Sequence, residues 1–125
     1  MSDPFFDTNI LIDWLRDRPP AVAELMRYSG HRISRIVWME ILSGEPIETR
    51  DRIQQLLSPF DVVELDGRIA AAAADLRYRM RIKLLDAIIL ATAQVNGAIL
   101  ITRNTKDFPA QLPGIRVPYR LKEGP

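Results

Sequence analysis

The sequence contains no cysteine and only one histidine, His31, among its 125 residues. Disulfide bonds and thiolate zinc sites are therefore excluded, and a metal site would have to rest on oxygen ligands. A chain without cysteine suits a reducing compartment, so we expect a cytoplasmic protein. His31 lies at the start of a predicted strand, away from any acidic motif, and we expect a surface or capping role for it.

The sequence also lacks a long hydrophobic run and an excess of one charge. Its richest apolar stretch, residues 84–95, contains Asp86 and Gln94 and is too short to span a bilayer. The first seven residues have neither the basic nor the apolar region of a secretory signal. We therefore expect no membrane association. The net charge is +1, so nucleic-acid binding would have to rest on local charge.

The composition is that of an ordinary globular protein, with 47% hydrophobic and 26% charged residues. The length fits one domain. We assign residues 1–121 to this domain and residues 122–125 to a loose C-terminal tail.

Short apolar segments alternate with segments of helical periodicity along the whole chain. Predicted strands lie at residues 4–6, 31–34, 60–65, 98–101 and 115–117. Predicted helices lie at residues 8–15, 19–30, 36–42, 49–57, 66–79 and 85–95, the last apolar nearly all round and hence buried. This alternation predicts an α/β sandwich with a mostly parallel central sheet.

Three carboxylates occupy apolar surroundings where a charge is costly. Asp7 directly follows the first strand, Glu40 shares a helical face with Ile36, and Asp86 shares one with Ile89. A buried, unpaired carboxylate costs several kcal/mol unless it is neutralised. Proteins keep such groups when they are paired or bind a metal, and an all-oxygen set favours Mg²⁺ or Mn²⁺.

Polar residues accompany these acids at the expected carboxyl ends of strands, where sites in parallel sheets gather. Thr8 and Asn9 follow Asp7, and Thr102 and Asn104 follow the strand at 98–101. Their side chains are suited to positioning a carboxylate or a water molecule. Carboxylates with Mg²⁺ are suited to hydrolysis of phosphodiester bonds.

Each acid also has a structural interpretation. Asp7 can cap the first helix, and Asp86 can complement a helix dipole from the first turn. Glu40 has no lysine or arginine at i±3 or i±4, so local pairing does not explain it. The occurrence of all three in one short chain favours a common site.

Four segments resemble, in order and spacing, the motifs of the PIN-domain family. They read FDTNILI at 6–12, VWMEILSG at 37–44, LDAIILATA at 85–93 and LITRNTKDF at 100–108. The resemblance runs from about Phe5 to Tyr119, and the short single-domain length resembles the VapC branch of toxin–antitoxin pairs.

The resemblance implies a three-layer α/β/α fold and an endoribonuclease dependent on Mg²⁺ or Mn²⁺. It carries over Asp7, Glu40 and Asp86 as metal-site carboxylates. It also implies an RNA substrate, a homodimer, and a cognate VapB-type antitoxin that occupies the active-site groove. Many relatives have a fourth acid directly after Thr-Arg, where this chain has Asn104. Asp107, three residues on, is the alternative fourth acid.

Basic residues precede Asp86 and follow the last internal strand. They are candidates for an RNA-binding rim beside the site. For the four residues that precede Asp86, the alternative is an ordinary solvated helix end. These residues are Arg77, Arg79, Arg81, Lys83 and Arg103.

Two other functions compete with a toxin ribonuclease. One is a catalytically weak PIN-like module that binds RNA or protein, which the neutral Asn104 keeps open. The other is a housekeeping metal-dependent nuclease without an antitoxin.

Overall fold

The computed structural model describes residues 3–109 and 111–121, so the predicted tail at 122–125 lies outside the described residues. The described chain forms a central sheet flanked by helices. Its strands are β1 (Phe5–Phe6), β2 (Arg32–Ser34), β3 (Asp61–Val63), β4 (Leu100–Ile101) and β5 (Ile115–Arg116). Its helices are α1 (Thr8–Leu15), α2 (Pro19–Met26), α3 (Arg35–Ser43), α4 (Ile47–Leu57), α5 (Gly67–Met80) and α6 (Leu84–Val95).

The five strands lie in the order β3-β2-β1-β4-β5, and every pair is parallel. The predicted α/β/α class is confirmed, with a sheet that is wholly rather than mostly parallel across the described strands. The chain builds outward from β1 to β3 and then returns to the other side of β1 for β4. Sites in such sheets form beside this reversal, at the carboxyl ends of the strands.

The central strands are short and deeply buried. Phe5, Phe6, Ile33, Leu100 and Ile101 are all at most 1% exposed. A parallel strand covered on both faces needs apolar side chains at consecutive positions, which explains the unbroken apolar runs. Helix α6 is buried from Ala87 to Ala93, as predicted, whereas Leu84 and Leu85 at its start are about half exposed.

Helix α2 ends at Met26 rather than at Gly30 as predicted. The side chain of His31 explains the early end, because its Nε2 donates to the Leu25 carbonyl oxygen at 2.6 Å in the tautomer protonated there. The ring of His31 also packs between Phe6 and Phe60. His31 therefore caps α2 from a half-buried position.

Two other helices begin at residues whose side chains cap them. Asp66 accepts a hydrogen bond from the Ile69 amide at 2.9 Å and caps α5, and Ser34 caps α3 through the Val37 amide. Helix α6 is followed by Gly97 with φ +62°. None of the helices in the described ranges combines the length and the apolar character that crossing a membrane requires.

Replacing Gly97 with alanine is expected to destabilise the protein by about 1 kcal/mol, because a left-handed residue with a Cβ is strained even in open space. A Cβ at Gly97 would meet no atom within 4 Å, so backbone strain is the whole effect. Urea denaturation measures it. Gly67→Ala is the matched control: it also has open space, lies in the first turn of α5, and should be neutral or stabilising. Equal effects of the two substitutions would contradict this explanation.

Candidate active site

Asp7 and Thr102 are brought together by the pairing of β1 with β4. Phe6 and Ile101 are partners in the register, so the next residue of each strand leaves the sheet at the same edge. The Thr102 hydroxyl donates to Asp7 Oδ2 at 2.7 Å. Two residues separated by 95 positions in the chain thus form one side of the site.

Asp7 is only 4% exposed and also caps α1, since its Oδ1 accepts from the Thr8 amide at 2.8 Å. The capping and site interpretations of Asp7 are therefore compatible. Burial raises the pKa of Asp7 to about 6, against the hydrogen bonds from Thr102 and Thr8, and the charges of Asp86 and Glu40 add to the rise. The carboxylate is held in place at an energetic cost.

Glu40 reaches the site from the middle of α3. The Thr8 hydroxyl donates to its Oε1 at 2.6 Å, which joins the start of α1 to α3. Thr8 thus contacts both acids, through its amide to Asp7 and through its hydroxyl to Glu40.

Asp86 lies in the first turn of α6 and faces Asp107. Burial is the main cause that raises the pKa of Asp86, followed by the negative charges of Asp107 and Glu40; the charge of Lys83 lowers it. Asp86 and Glu40 therefore lie within electrostatic reach of Asp7, and Asp107 and Glu40 within reach of Asp86.

The loop after β4 organises Asp107. Asn104 Nδ2 donates to Asp107 Oδ2 at 3.0 Å, and the Asp107 amide donates back to Asn104 Oδ1 at 3.2 Å. The Asn104 amide itself donates to the Thr102 hydroxyl at 2.9 Å. Asn104 is therefore an orienting partner of Asp107, and Asp107 is the acid that faces Asp86.

The donor set of the site is suited to a hard divalent cation. Across residues 3–109 and 111–121, no ion pair involves any of the four carboxylates. In the same ranges, no three acidic or histidine side chains lie close enough together to enclose one ion. Mg²⁺ is commonly held by one or two carboxylates and keeps several waters, so this open arrangement fits it.

The predicted basic rim is divided between two places. Lys83 occupies the N-cap position of α6 without a side-chain capping hydrogen bond and lies near Asp86. Arg77, Arg79 and Arg81 border a shallow open depression at the end of α5. Two of them have intramolecular partners, since Arg77 donates to the Ile82 carbonyl and Arg79 pairs with Asp75.

The side chain of Arg103 binds a carboxylate outside the candidate metal site. Its guanidinium makes two hydrogen bonds to Asp13, at 2.7 and 3.2 Å. Sequence reasoning missed Asp13 and also Glu24, which are 1% and 4% exposed and each pair with an arginine. A signal was present for Asp13, because it lies in the apolar run ILIDWL, as Glu40 and Asp86 lie in theirs.

The raised pKa of Asp7 makes stability depend on pH. Between pH 4 and about 6, Asp7 binds its proton more tightly in the folded protein than in the unfolded chain, so the contribution of Asp7 to stability falls as pH rises through this range. Asp7→Asn keeps a capping side chain and removes the charge. In EDTA it should be more stable than the parent by about 1–3 kcal/mol at pH 7.5 and not at pH 4.

Urea denaturation at the two pH values measures this difference. Asp51→Asn, an exposed change of the same kind on α4, is the control and should leave the pH dependence unaltered. If Asp7→Asn is instead less stable than the parent at pH 7.5, the neighbours of Asp7 offset the cost of its charge in the metal-free protein, which would contradict this explanation.

Comparisons with known proteins agree with this architecture. The PIN-domain family model matches residues 5–110. "Ribonuclease VapC19" of Mycobacterium tuberculosis is 33% identical over 128 residues, which cover 90% of this chain and 97% of that protein. The "tRNA(fMet)-specific endonuclease VapC" of Shigella flexneri is 27% identical, over 82% of this chain and 86% of its own.

Solved structures show the same fold. A chain of a toxin–antitoxin complex from Klebsiella pneumoniae superposes with a TM-score of 0.89 and 42% identity, covering 95% of this chain and all of that one. The family match spans both strands that form the site and all three helices that bring Asp7, Glu40 and Asp86 to it. The protein belongs to the PIN-domain family.

Proposed function

We propose that this protein, as a single domain of residues 1–121, is a metal-dependent endoribonuclease toxin of the VapC type. The observation that carries the proposal is a set of four acidic side chains that have no ion-pair partner among the described residues. Asp7 and Asp107 follow β1 and β4, and Glu40 and Asp86 reach them from α3 and α6. The names of the relatives, a ribonuclease and a tRNA endonuclease, support the same activity.

Asp7, Glu40, Asp86 and Asp107 would supply ligands to Mg²⁺ or Mn²⁺, which commonly takes only one or two carboxylates and keeps several waters. When bound, the cation would lower the pKa of a bound water and offset the charge of the scissile phosphate. The protein supplies fixed oxygen ligands. Thr102 and Asn9 hold Asp7, the latter through a 3.4 Å contact from its Nδ2.

The proposal assigns the fourth acid to Asp107 and an orienting role to Asn104. An amide in place of an acid next to Asp107 can donate a hydrogen bond to it, which a carboxylate cannot do. The assignment keeps four acids in the site despite the departure from the family pattern.

RNA binding requires the negative potential of the site to be overcome, because four carboxylates repel phosphate. Lys83, whose charge acts on Asp86, is placed to contact substrate. Arg77, Arg79 and Arg81 extend the positive surface farther along α5.

A VapB-type antitoxin is the proposed partner, by analogy with the toxin–antitoxin complex of similar structure. A hollow beside Glu40, bordered by Arg16 and Arg52, lies next to an apolar groove that includes Trp14 and Phe60, and Leu56 borders both. A bound segment along these two depressions would reach the site at Glu40. We also propose a cytoplasmic homodimer; exposed Met39, Leu84 and Leu85 are available for protein contacts.

Purified protein should cleave RNA with Mg²⁺ or Mn²⁺ and not in EDTA. Asp86→Asn should lower cleavage by at least about 100-fold, since it removes a charge from the site itself. Asp51→Asn is the control with the same charge change on an exposed face of α4 and should cleave normally. Cleavage that survives both EDTA and Asp86→Asn would refute the metal site.

A folded protein that binds RNA without cutting it would favour the catalytically weak module. Cleavage without any toxicity in cells that lack an antitoxin would favour the housekeeping nuclease.

Asp107→Asn should reduce cleavage about as strongly as Asp86→Asn, while Asn104→Ala should cost about 10-fold, as expected for loss of orientation alone. Single-turnover cleavage rates at saturating Mg²⁺ measure both. The reverse order of effects would move the fourth ligand position to Asn104.

A further inference from the structure

Asp13 lies in the last part of α1 and is the centre of a buried polar network. It is 1% exposed, and its carboxylate accepts hydrogen bonds from Arg103 and from the Tyr119 hydroxyl at 2.8 Å. Arg18 adds a longer ion pair at 3.6 Å. The network joins α1 to the loop after β4 and to the chain near its C-terminus.

Arg103 is held at both of its ends by α1. Its backbone amide donates to Asn9 Oδ1 at 3.1 Å, and its guanidinium binds Asp13. Asn9 and Asp13 are four residues apart, so they lie on the same face of the helix. The helix capped by Asp7 therefore holds the residue that directly follows Thr102.

The segment beyond Arg103 carries the acid that faces Asp86. Its contacts are short polar ones: the Asn104 amide to Thr102, and the two hydrogen bonds between Asn104 and Asp107. Phe108, which is fully buried in the core, anchors the far end of this segment. Without the pair of Arg103 with Asp13, the near end would depend on Thr102 and on the Arg103 amide alone.

We propose that Asp13 is a positioning residue that, through Arg103, fixes loop 102–107 and thereby the distance of Asp107 from Asp7 and Asp86. This inference rests on the proposed nuclease function for its catalytic consequence, but the effect on the loop is independent of it. A buried ion pair is a poor source of stability. Because the pair of Asp13 with Arg103 lies beside the site, we assign it a role in fixing the conformation of loop 102–107.

The protein contains a matched control for this network. Glu24 on α2 is 4% exposed and binds Arg116 through two hydrogen bonds, at 2.7 and 3.0 Å. It also accepts from Tyr28 at 2.9 Å and has a second arginine, Arg27, at 3.7 Å. Each network consists of one acid, two arginines and one tyrosine, but that of Glu24 ties α2 to β5. It meets loop 102–107 only through the backbone of Arg116, whose carbonyl accepts from the Thr102 amide at 3.0 Å, and a change of the Glu24 side chain leaves this bond in place.

The experiment compares Asp13→Asn with Glu24→Gln by amide hydrogen exchange and by single-turnover RNA cleavage with a Mn²⁺ titration. Both proteins are studied where urea curves show them folded. Asp13→Asn should speed exchange of the Asn104, Asp107 and Phe108 amides at least about 10-fold more than exchange in α5. It should also lower the cleavage rate about 10- to 100-fold and weaken Mn²⁺ binding. Glu24→Gln should do neither.

Arg103→Lys provides a second variant should Asp13→Asn fail to fold. It retains the charge and loses the two-point contact, so it should show the same pattern at smaller amplitude. Arg116→Lys is its control.

The outcomes separate the two proposals. Selective loop exchange in a protein whose parent cleaves no RNA would support the positioning role and reject the nuclease. Unchanged loop exchange together with a parental cleavage rate and Mn²⁺ affinity in Asp13→Asn would overturn the positioning role. So would equal effects of Asp13→Asn and Glu24→Gln on loop 102–107.

Discussion

The parallel pairing of β1 with β4 is the constraint on which the site depends. Each strand has only two residues, yet the register of Phe6 with Ile101 decides that Asp7 and Thr102 leave the sheet side by side. A shift of one residue would turn each side chain of the strand to the opposite face of the sheet, against the other layer of helices, and separate this pair. The complete burial of the strand side chains specifies the register, so the hydrophobic core fixes the polar chemistry at its edge.

The buried charges of the site destabilise the fold, whereas the hydrophobic core stabilises it. Asp7 is buried and surrounded by other acids, and its raised pKa measures the cost of keeping it charged at neutral pH. A divalent cation would remove this cost, because it supplies the positive charge that the described ion pairs do not give to these acids. The same electrostatics therefore link metal binding to stability and to function.

The sequence predicted the order of elements, and it also named the acids that the structure brings together in the candidate site, because both rest on local patterns. Apolar runs and capping residues such as Asp66 are visible within a few positions. The end of α2 was not predictable, since it depends on a contact from His31 across a loop. Asp13 and Glu24 were missed because their arginine partners lie 90 and 92 residues away, beyond any search for partners one helical turn apart.

The loop after β4 shows why a departure from a family pattern needs the structure for its interpretation. From sequence alone, Asn104 suggests a missing acid. In three dimensions its amide donates to Asp107, whose carboxylate then faces Asp86. An acid at position 104 would repel Asp107 and add a fifth negative charge to a site that already raises the pKa of Asp7 and Asp86. A neutral donor there orients the acid three residues on, so the loss of one carboxylate and the use of another are parts of the same arrangement.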